Sequence, residues 1–158
     1  MSTASFDIEI ASSYPAEKVF KIYNDYHILV PKVNPQVFKS IETIEGDGGV
    51  GTIRLLTFGE SLPFTSAKYK IDNIDASNFT FDSTFFEGDN LLGILHSINY
   101  HIKIVPTAEG GSIFKQTVVY NGKGDEKPSA ETLSFIKDLY EKTYKAMEVY
   151  AAEHPETY

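Results

Sequence analysis

The sequence predicts an α+β domain in which helices cover one face of an antiparallel sheet. Three observations carry this expectation. Apolar and polar residues alternate with a period of two through most of residues 38–120. The alternating segments are joined by short turn-forming stretches, so consecutive strands pair antiparallel. A long helical pattern then closes the chain. Strands and helices are segregated along the sequence rather than interleaved, which favours α+β over α/β.

The elements follow in order. Phe6, Ile8 and Ile10 lie on one face of an extended segment and Asp7 and Glu9 on the other, predicting a half-buried strand over 5–11. Pro15 suits a first helical position, and Glu17 stands where the helix dipole favours an anion. Val19, Phe20 and Tyr23 continue at helical spacing, and Pro31 and Pro35 confine "HILVPKVNP" to a second short helix. "FKSIETIE" and "TIRLLTF" are strands on either side of a glycine-rich stretch. "FTSAKYKIDNI" and "NFTFDSTFF" are joined by the turn Asp75-Ala76-Ser77-Asn78. "INYHIKIV" and "SIFKQTVVY" are joined across Pro106 and Gly110-Gly111. These six strands are consecutive and hairpin-linked, hence antiparallel, and follow the first strand and the two short helices. Pro128 and Ser129 open a helix running to about Ala152, with a stripe of Leu133, Ile136, Tyr140, Thr143, Met147 and Tyr150. At 1.5 Å per residue it is about 36 Å long, enough to cross a sheet. No repeat or linker interrupts residues 1–158, which read as a single domain.

Composition narrows the function classes. The chain has 158 residues and a formal net charge of −8, with Lys and Arg scattered singly or in pairs, a distribution that repels nucleic acid. There is no cysteine, so thiol nucleophiles, disulfides and cysteine-zinc sites are excluded. No apolar run has membrane-spanning length, and "MSTASFDIEI" lacks the pattern of a secretory leader; the expectation is a cytoplasmic monomer without membrane partners.

The strand pattern also assigns faces. Phe79, Phe81, Ser83 and Phe85 share one side; so do Ile98, Tyr100, Ile102 and Ile104, and Phe114, Gln116, Val118 and Tyr120. Arg54, Leu56 and Phe58 form another such set, and Phe64, Ser66 and Lys68 a further one. Polar members of inward faces need partners. Two readings stand: these groups reach water at the sheet rim, or they line a cavity whose sparse polar groups orient a ligand.

Gly46, Gly48, Gly49 and Gly51 satisfy the dinucleotide-binding pattern G-x-G-x-x-G, but a β-patterned segment follows where that fingerprint requires a helix. Thr52 occupies the place of a phosphate-loop lysine, and Glu45 and Asp47 repel an anion. A hairpin turn fits better. His96 and His101 are five apart and so face opposite sides of a regular strand, and His27 and His154 have no ligand-like neighbours. No metal or cofactor is expected.

Together "VPKVNPQVFKS", "IEGDGGVGTI" running into "TFGE", "FFEGD", "YHIKIV" with a downstream "GGS", and "MEVYAAEHPE" resemble the plant class-ten pathogenesis-related proteins, the family of the birch major pollen allergen. The resemblance spans essentially the whole chain. It implies a helix-grip fold, in which a seven-stranded antiparallel sheet wraps the long C-terminal helix over a large hydrophobic cavity and two short helices follow the first strand. It implies binding of small amphipathic metabolites such as cytokinins, flavonoids, steroid-like hormones or alkaloids. On it, Phe64, Phe81, Phe85, Ile98, Ile102, Phe114, Ile136 and Leu139 are expected as apolar wall, with Phe58 beside them. Arg54, Lys68, Tyr100, Gln116, Tyr140 and Thr143 are expected to orient polar ligand groups, with Ser66 and Ser83 in the same pocket. Tyr140 stands where many members have a small residue, to fill the cavity or to bond a ligand. Some relatives perform acid–base chemistry on alkaloid precursors, for which Lys68 and Tyr100 are the candidates here. A carboxylate proposed for ribonuclease activity in some members falls on His96, with Glu148 and Tyr150 retained.

Overall fold

Every predicted strand forms. The computed structural model describes residues 2–158. Strand β1 (Thr3–Ser12) is followed by helices α1 (Ala16–Asn24) and α2 (Tyr26–Val33). Six strands follow: β2 (Phe38–Glu45), β3 (Ile53–Phe58), β4 (Ser66–Asp75), β5 (Thr80–Gly88), β6 (Leu95–Pro106) and β7 (Ser112–Gly122). Helix α3 (Ala130–Glu153) ends the regular structure. The sheet is antiparallel throughout, in the order β1-β7-β6-β5-β4-β3-β2. It is therefore a meander from β2 to β7, closed by β1 on the outer edge of β7. No helix among the described residues is long and apolar enough to cross a membrane.

The helix boundaries have local causes. Pro15 caps α1 instead of opening it: its ψ of 157° is extended, and its carbonyl accepts from the Lys18 and Val19 amides. Pro31 lies inside α2 and Asn34 ends that helix. The Ser129 hydroxyl caps α3 by accepting from the Thr132 amide at 3.1 Å, satisfying a donor the first turn leaves free. A one-turn 3₁₀ helix at Asp89–Leu91, absent from the sequence expectation, sits between β5 and β6.

The register stacks the inward residues into rows. Arg54 is opposite Tyr69, Tyr69 opposite Phe85, Phe85 opposite Ile98, and Ile98 opposite Tyr120. Two face assignments are corrected. On β4 the buried residues are Ala67, Tyr69 and Ile71, so Ser66 and Lys68 lie on the opposite face from the one expected. Phe64 precedes the strand, so alternation counted from it starts one position out of phase. On β6 a register shift between Leu95 and Ser97 inserts an extra residue before Ile98, and His96 and His101 both point outward despite their odd spacing.

The glycine-rich stretch turns β2 into β3. Gly46, Gly48 and Gly51 have φ of 95°, 99° and 93°, whereas Gly49 does not need the left-handed region. The Gly48 amide donates to Thr52 Oγ1 at 2.9 Å, and a Cβ on Gly46 would lie 2.7 Å from that oxygen and 2.8 Å from the Thr52 Cα. Gly46→Ala is therefore expected to cost on the order of 2 kcal/mol in chemical denaturation, and Gly49→Ala less than about 0.5 kcal/mol. Equal losses would show that strain at this turn is not what selects glycine.

Candidate functional site

Helix α3 is packed unevenly. Its buried residues, Thr143, Tyr144, Met147 and Ala151, all lie in the C-terminal half. There Tyr144 stacks on Phe114, with ring centroids 4.0 Å apart. Thr143 Oγ1 donates to the Leu139 carbonyl at 2.8 Å and accepts from Asn34 Nδ2 at 3.1 Å, tying α3 to the end of α2. Along the N-terminal half, Ile136, Leu139 and Tyr140 face a cavity of about 440 Å³.

Phe38, Phe58, Ile98, Tyr100 and Tyr120 form the sheet side of this cavity. Leu62, Pro63 and Phe64 close it from the β3–β4 loop, and Asn90 and Leu92 from the segment after β5. Glu131, Thr132 and Phe135 stand on the first turns of α3. Phe135 and Leu92 are 56% and 36% exposed, which marks this end as the mouth. The Asp89 carboxylate accepts from the Thr65 amide at 2.7 Å and the Ser66 amide at 3.3 Å, joining the two rim segments. The wall is an aromatic network, with Phe38 6.4 Å from both Phe58 and Tyr140, and Phe58 5.5 Å from Phe64. Polar groups are few, and the Asn90 side-chain oxygen is buried with no partner.

The expected site residues divide into four groups. Phe58, Phe64, Ile98, Tyr100, Ile136, Leu139 and Tyr140 line the cavity. Arg54, Phe81, Ser83 and Phe85 line a separate cavity of about 20 Å³ beside Tyr23, Tyr26 and Tyr69. Ile102, Phe114, Gln116 and Thr143 are buried and line neither. Ser66 and Lys68 are outside: the Lys68 ammonium pairs with Glu87 at 3.2 Å on the outer face. Phe38, Leu62, Pro63, Asn90, Leu92, Tyr120, Glu131, Thr132 and Phe135 were not foreseen as site residues. Phe38 and Tyr120 carry a strand-face signal that could have found them; Leu62, Pro63 and Leu92 sit on loops, where no periodicity marks direction, Asn90 lies in the unforeseen 3₁₀ turn, and Glu131, Thr132 and Phe135 lie off the apolar stripe of α3.

Tyr140 fills the middle of the grip. Its ring lies 5.5 Å from Tyr100 at 88°, and the two hydroxyls share a hydrogen bond between α3 and β6. Burial pushes the Tyr140 phenol up to about 12, against the opposing effect of the bond to the Tyr100 hydroxyl. Tyr100 is raised well above its ordinary value by burial and by Tyr140, and Tyr23 and Tyr120 by burial. Among the described residues, no cluster of three or more His, Asp or Glu is arranged to hold a metal ion.

Comparison with known proteins fits this architecture. The model of the pathogenesis-related protein Bet v 1 family matches residues 1–154. A root allergen protein of Taraxacum officinale is 46% identical over 99% of both chains. The crystal structure of Ara h 8.0201 superposes with a TM-score of 0.85 at 32% identity, covering 96% of this chain and 99% of that one. Norcoclaurine synthase from Thalictrum flavum, in complex with dopamine and hydroxybenzaldehyde, superposes with a TM-score of 0.75 over 97% of this chain and 88% of that one. At 24% identity that likeness concerns the fold alone.

The buried phenols set an alkaline limit. An unfolded tyrosine ionises near pH 10, and Tyr140 in the folded chain only near 12. A group raised on folding stabilises fully below its unfolded value and loses that contribution as pH climbs toward the folded one. Stability is therefore expected to hold up to about pH 10 and to fall between about pH 10 and 12. Phenolate absorbance of the buried tyrosines should rise in one step with loss of the far-ultraviolet dichroism. Titration of all ten tyrosines near pH 10 in a chain that stays folded would contradict this burial.

Proposed function

We propose, from the premise that this chain belongs to the pathogenesis-related protein Bet v 1 family, that it binds small amphipathic plant metabolites in the cavity beneath α3. The observation that carries this reading is the cavity itself: about 440 Å³, walled by aromatic and aliphatic side chains, with a few hydroxyl and amide groups, and a mouth where Leu92 and Phe135 stand beside Glu131. That size falls in the range of small-molecule pockets, roughly 300–1,000 Å³. Flat ring systems with one or two polar substituents match such a wall, because aromatic faces bury much area at fixed geometry. The unpartnered Asn90 oxygen supplies an acceptor for a ligand donor. Cytokinin-, flavonoid-, steroid- and alkaloid-like compounds share this chemistry, and the protein would store or carry one of them in the cytosol.

A catalytic role in the same cavity has less support. Acid–base turnover needs a base and a partner held within reach of the substrate. Lys68 is paired with Glu87 outside the cavity, and Glu131 is exposed at the mouth. The phenols of Tyr100 and Tyr140 are held protonated and bonded to each other.

Displacement of a fluorescent apolar probe by representatives of the four ligand classes tests the proposal directly. Ile136→Trp, which fills the cavity from α3, should weaken the probe about tenfold, or 1.4 kcal/mol, without loss of folding stability. Lys68→Ala should change affinity by less than about twofold, since an exposed ion pair contributes at most about 1 kcal/mol to the fold. Full probe binding by the Ile136 variant, or loss of binding on removing Lys68, would place the site elsewhere.

A further inference from the structure

The smaller cavity has a different chemistry from the larger one. It lies where the inner faces of β3, β4 and β5 meet the end of α1 and the start of α2. Arg54 is 5% exposed there. Its guanidinium has five N–H donors, yet its protein partners are few. Nε donates to Thr43 Oγ1 at 3.1 Å, and the guanidinium is close enough to the Tyr69 phenol to oppose the upward push of burial there. The ion pairs among the described residues are Lys68–Glu87, His101–Asp82 and Lys115–Glu9; none includes Arg54. A buried cation without a counter-charge is costly, so the structure carries an uncompensated positive corner.

The groups around that corner add donors, not charge of the opposite sign. Tyr23, Tyr26 and Ser83 bring hydroxyls and Asn24 an amide. His27 is also close enough for burial and the Arg54 charge to hold its imidazole below the ordinary value, against Asp25, and its Nδ1 has no partner. Tyr100 is the one residue that lines both cavities, and its hydroxyl is bonded to Tyr140. Tyr100 therefore stands between the two chambers, held by its bond to Tyr140.

We infer that the corner around Arg54 is a carboxylate subsite, taking the acid group of a ligand whose apolar body fills the larger cavity, with the Tyr100–Tyr140 contact as the partition that opens. The inference rests on the ligand-binding reading above and names the class of ligand. A guanidinium fork matches both oxygens of a carboxylate, which is the geometry this cation lacks in the protein. The volume of about 20 Å³ is that of roughly one water, so a carboxylate needs the partition to swing aside.

The test compares naphthaleneacetate with its neutral isostere naphthaleneacetamide, each competed against an uncharged apolar fluorophore on the intact protein. The acid is expected to bind roughly tenfold to hundredfold tighter than the amide, the range of a charge-assisted hydrogen bond. Arg54→Gln should abolish that preference and Arg54→Lys should keep part of it, with folding of each checked by dichroism. In nuclear magnetic resonance titrations the acid should raise the His27 pKa and the amide should not, because only the acid neutralises Arg54. Equal affinities for acid and amide, or a preference that survives Arg54→Gln, overturn the subsite and leave the larger cavity standing. Failure of the acid to displace a fluorophore that does bind overturns it as well. Failure of the fluorophore itself to bind overturns the subsite together with the cavity reading.

Discussion

Helix α3 is fastened at one end, and the rest of the architecture depends on that. Its C-terminal half is locked by the Tyr144–Phe114 stack, by Met147 and Ala151 in the core, and by the Thr143–Asn34 bond. Its backbone comes close to β1, α1 and α2 and stands further from the middle strands. A helix lying flat on the sheet would bury its apolar stripe along its whole length. Here the sheet stands off from the first three turns, where no residue is fully buried, and Ile136, Leu139 and Tyr140 become cavity wall. The fold keeps its stability in one half of the helix and its binding surface in the other.

That division makes Tyr140 the central side chain. It sits where the packed half gives way to the open half, stacks toward Phe38 and bonds Tyr100 across the gap. It lines the apolar chamber and holds Tyr100, the residue shared with the cationic one. The phenol suits this place because its ring packs on aromatic walls while its hydroxyl finds a partner on the sheet, so neither the area nor the polar atom is wasted.

Much of this was legible in the sequence because it depends on periodicity. The seven strands, the long helix and the inward faces of β3, β5, β6 and β7 follow from alternation, since a half-buried strand reports its buried side every second residue. Resemblance to known relatives then supplied the cavity, which no pattern of one strand can show. The failures share a cause. Lys68 and Ser66 were assigned inward by counting from Phe64, a loop residue whose direction carries no phase into β4. His96 was misplaced by a bulge, which inserts half a period without a clear residue signal. Leu62, Pro63, Leu92 and Phe135 form the mouth. Loop backbones aim the first three, and Phe135 lies off the helix stripe, so only the fold brings them together.

Arg54 shows how a residue correctly placed by pattern still needs the structure for its meaning. Alternation put it inward, which for an arginine is compatible with a rim position where the head group reaches water. The structure closes that route: β4 and β5 bring Tyr69 and Phe85 alongside, α1 and α2 bring Tyr23 and Tyr26, and no acidic side chain comes with them. A neutral residue of similar volume would fill the same space without the desolvation cost, and replacing buried charges by apolar groups is often neutral or stabilising. The sheet therefore tolerates Arg54 at some expense of stability. Such an expense is intelligible where the charge has a partner that arrives from outside, because a site that leaves its polar group unpaired when empty is also the kind that discriminates most sharply between ligands that can and cannot complete it.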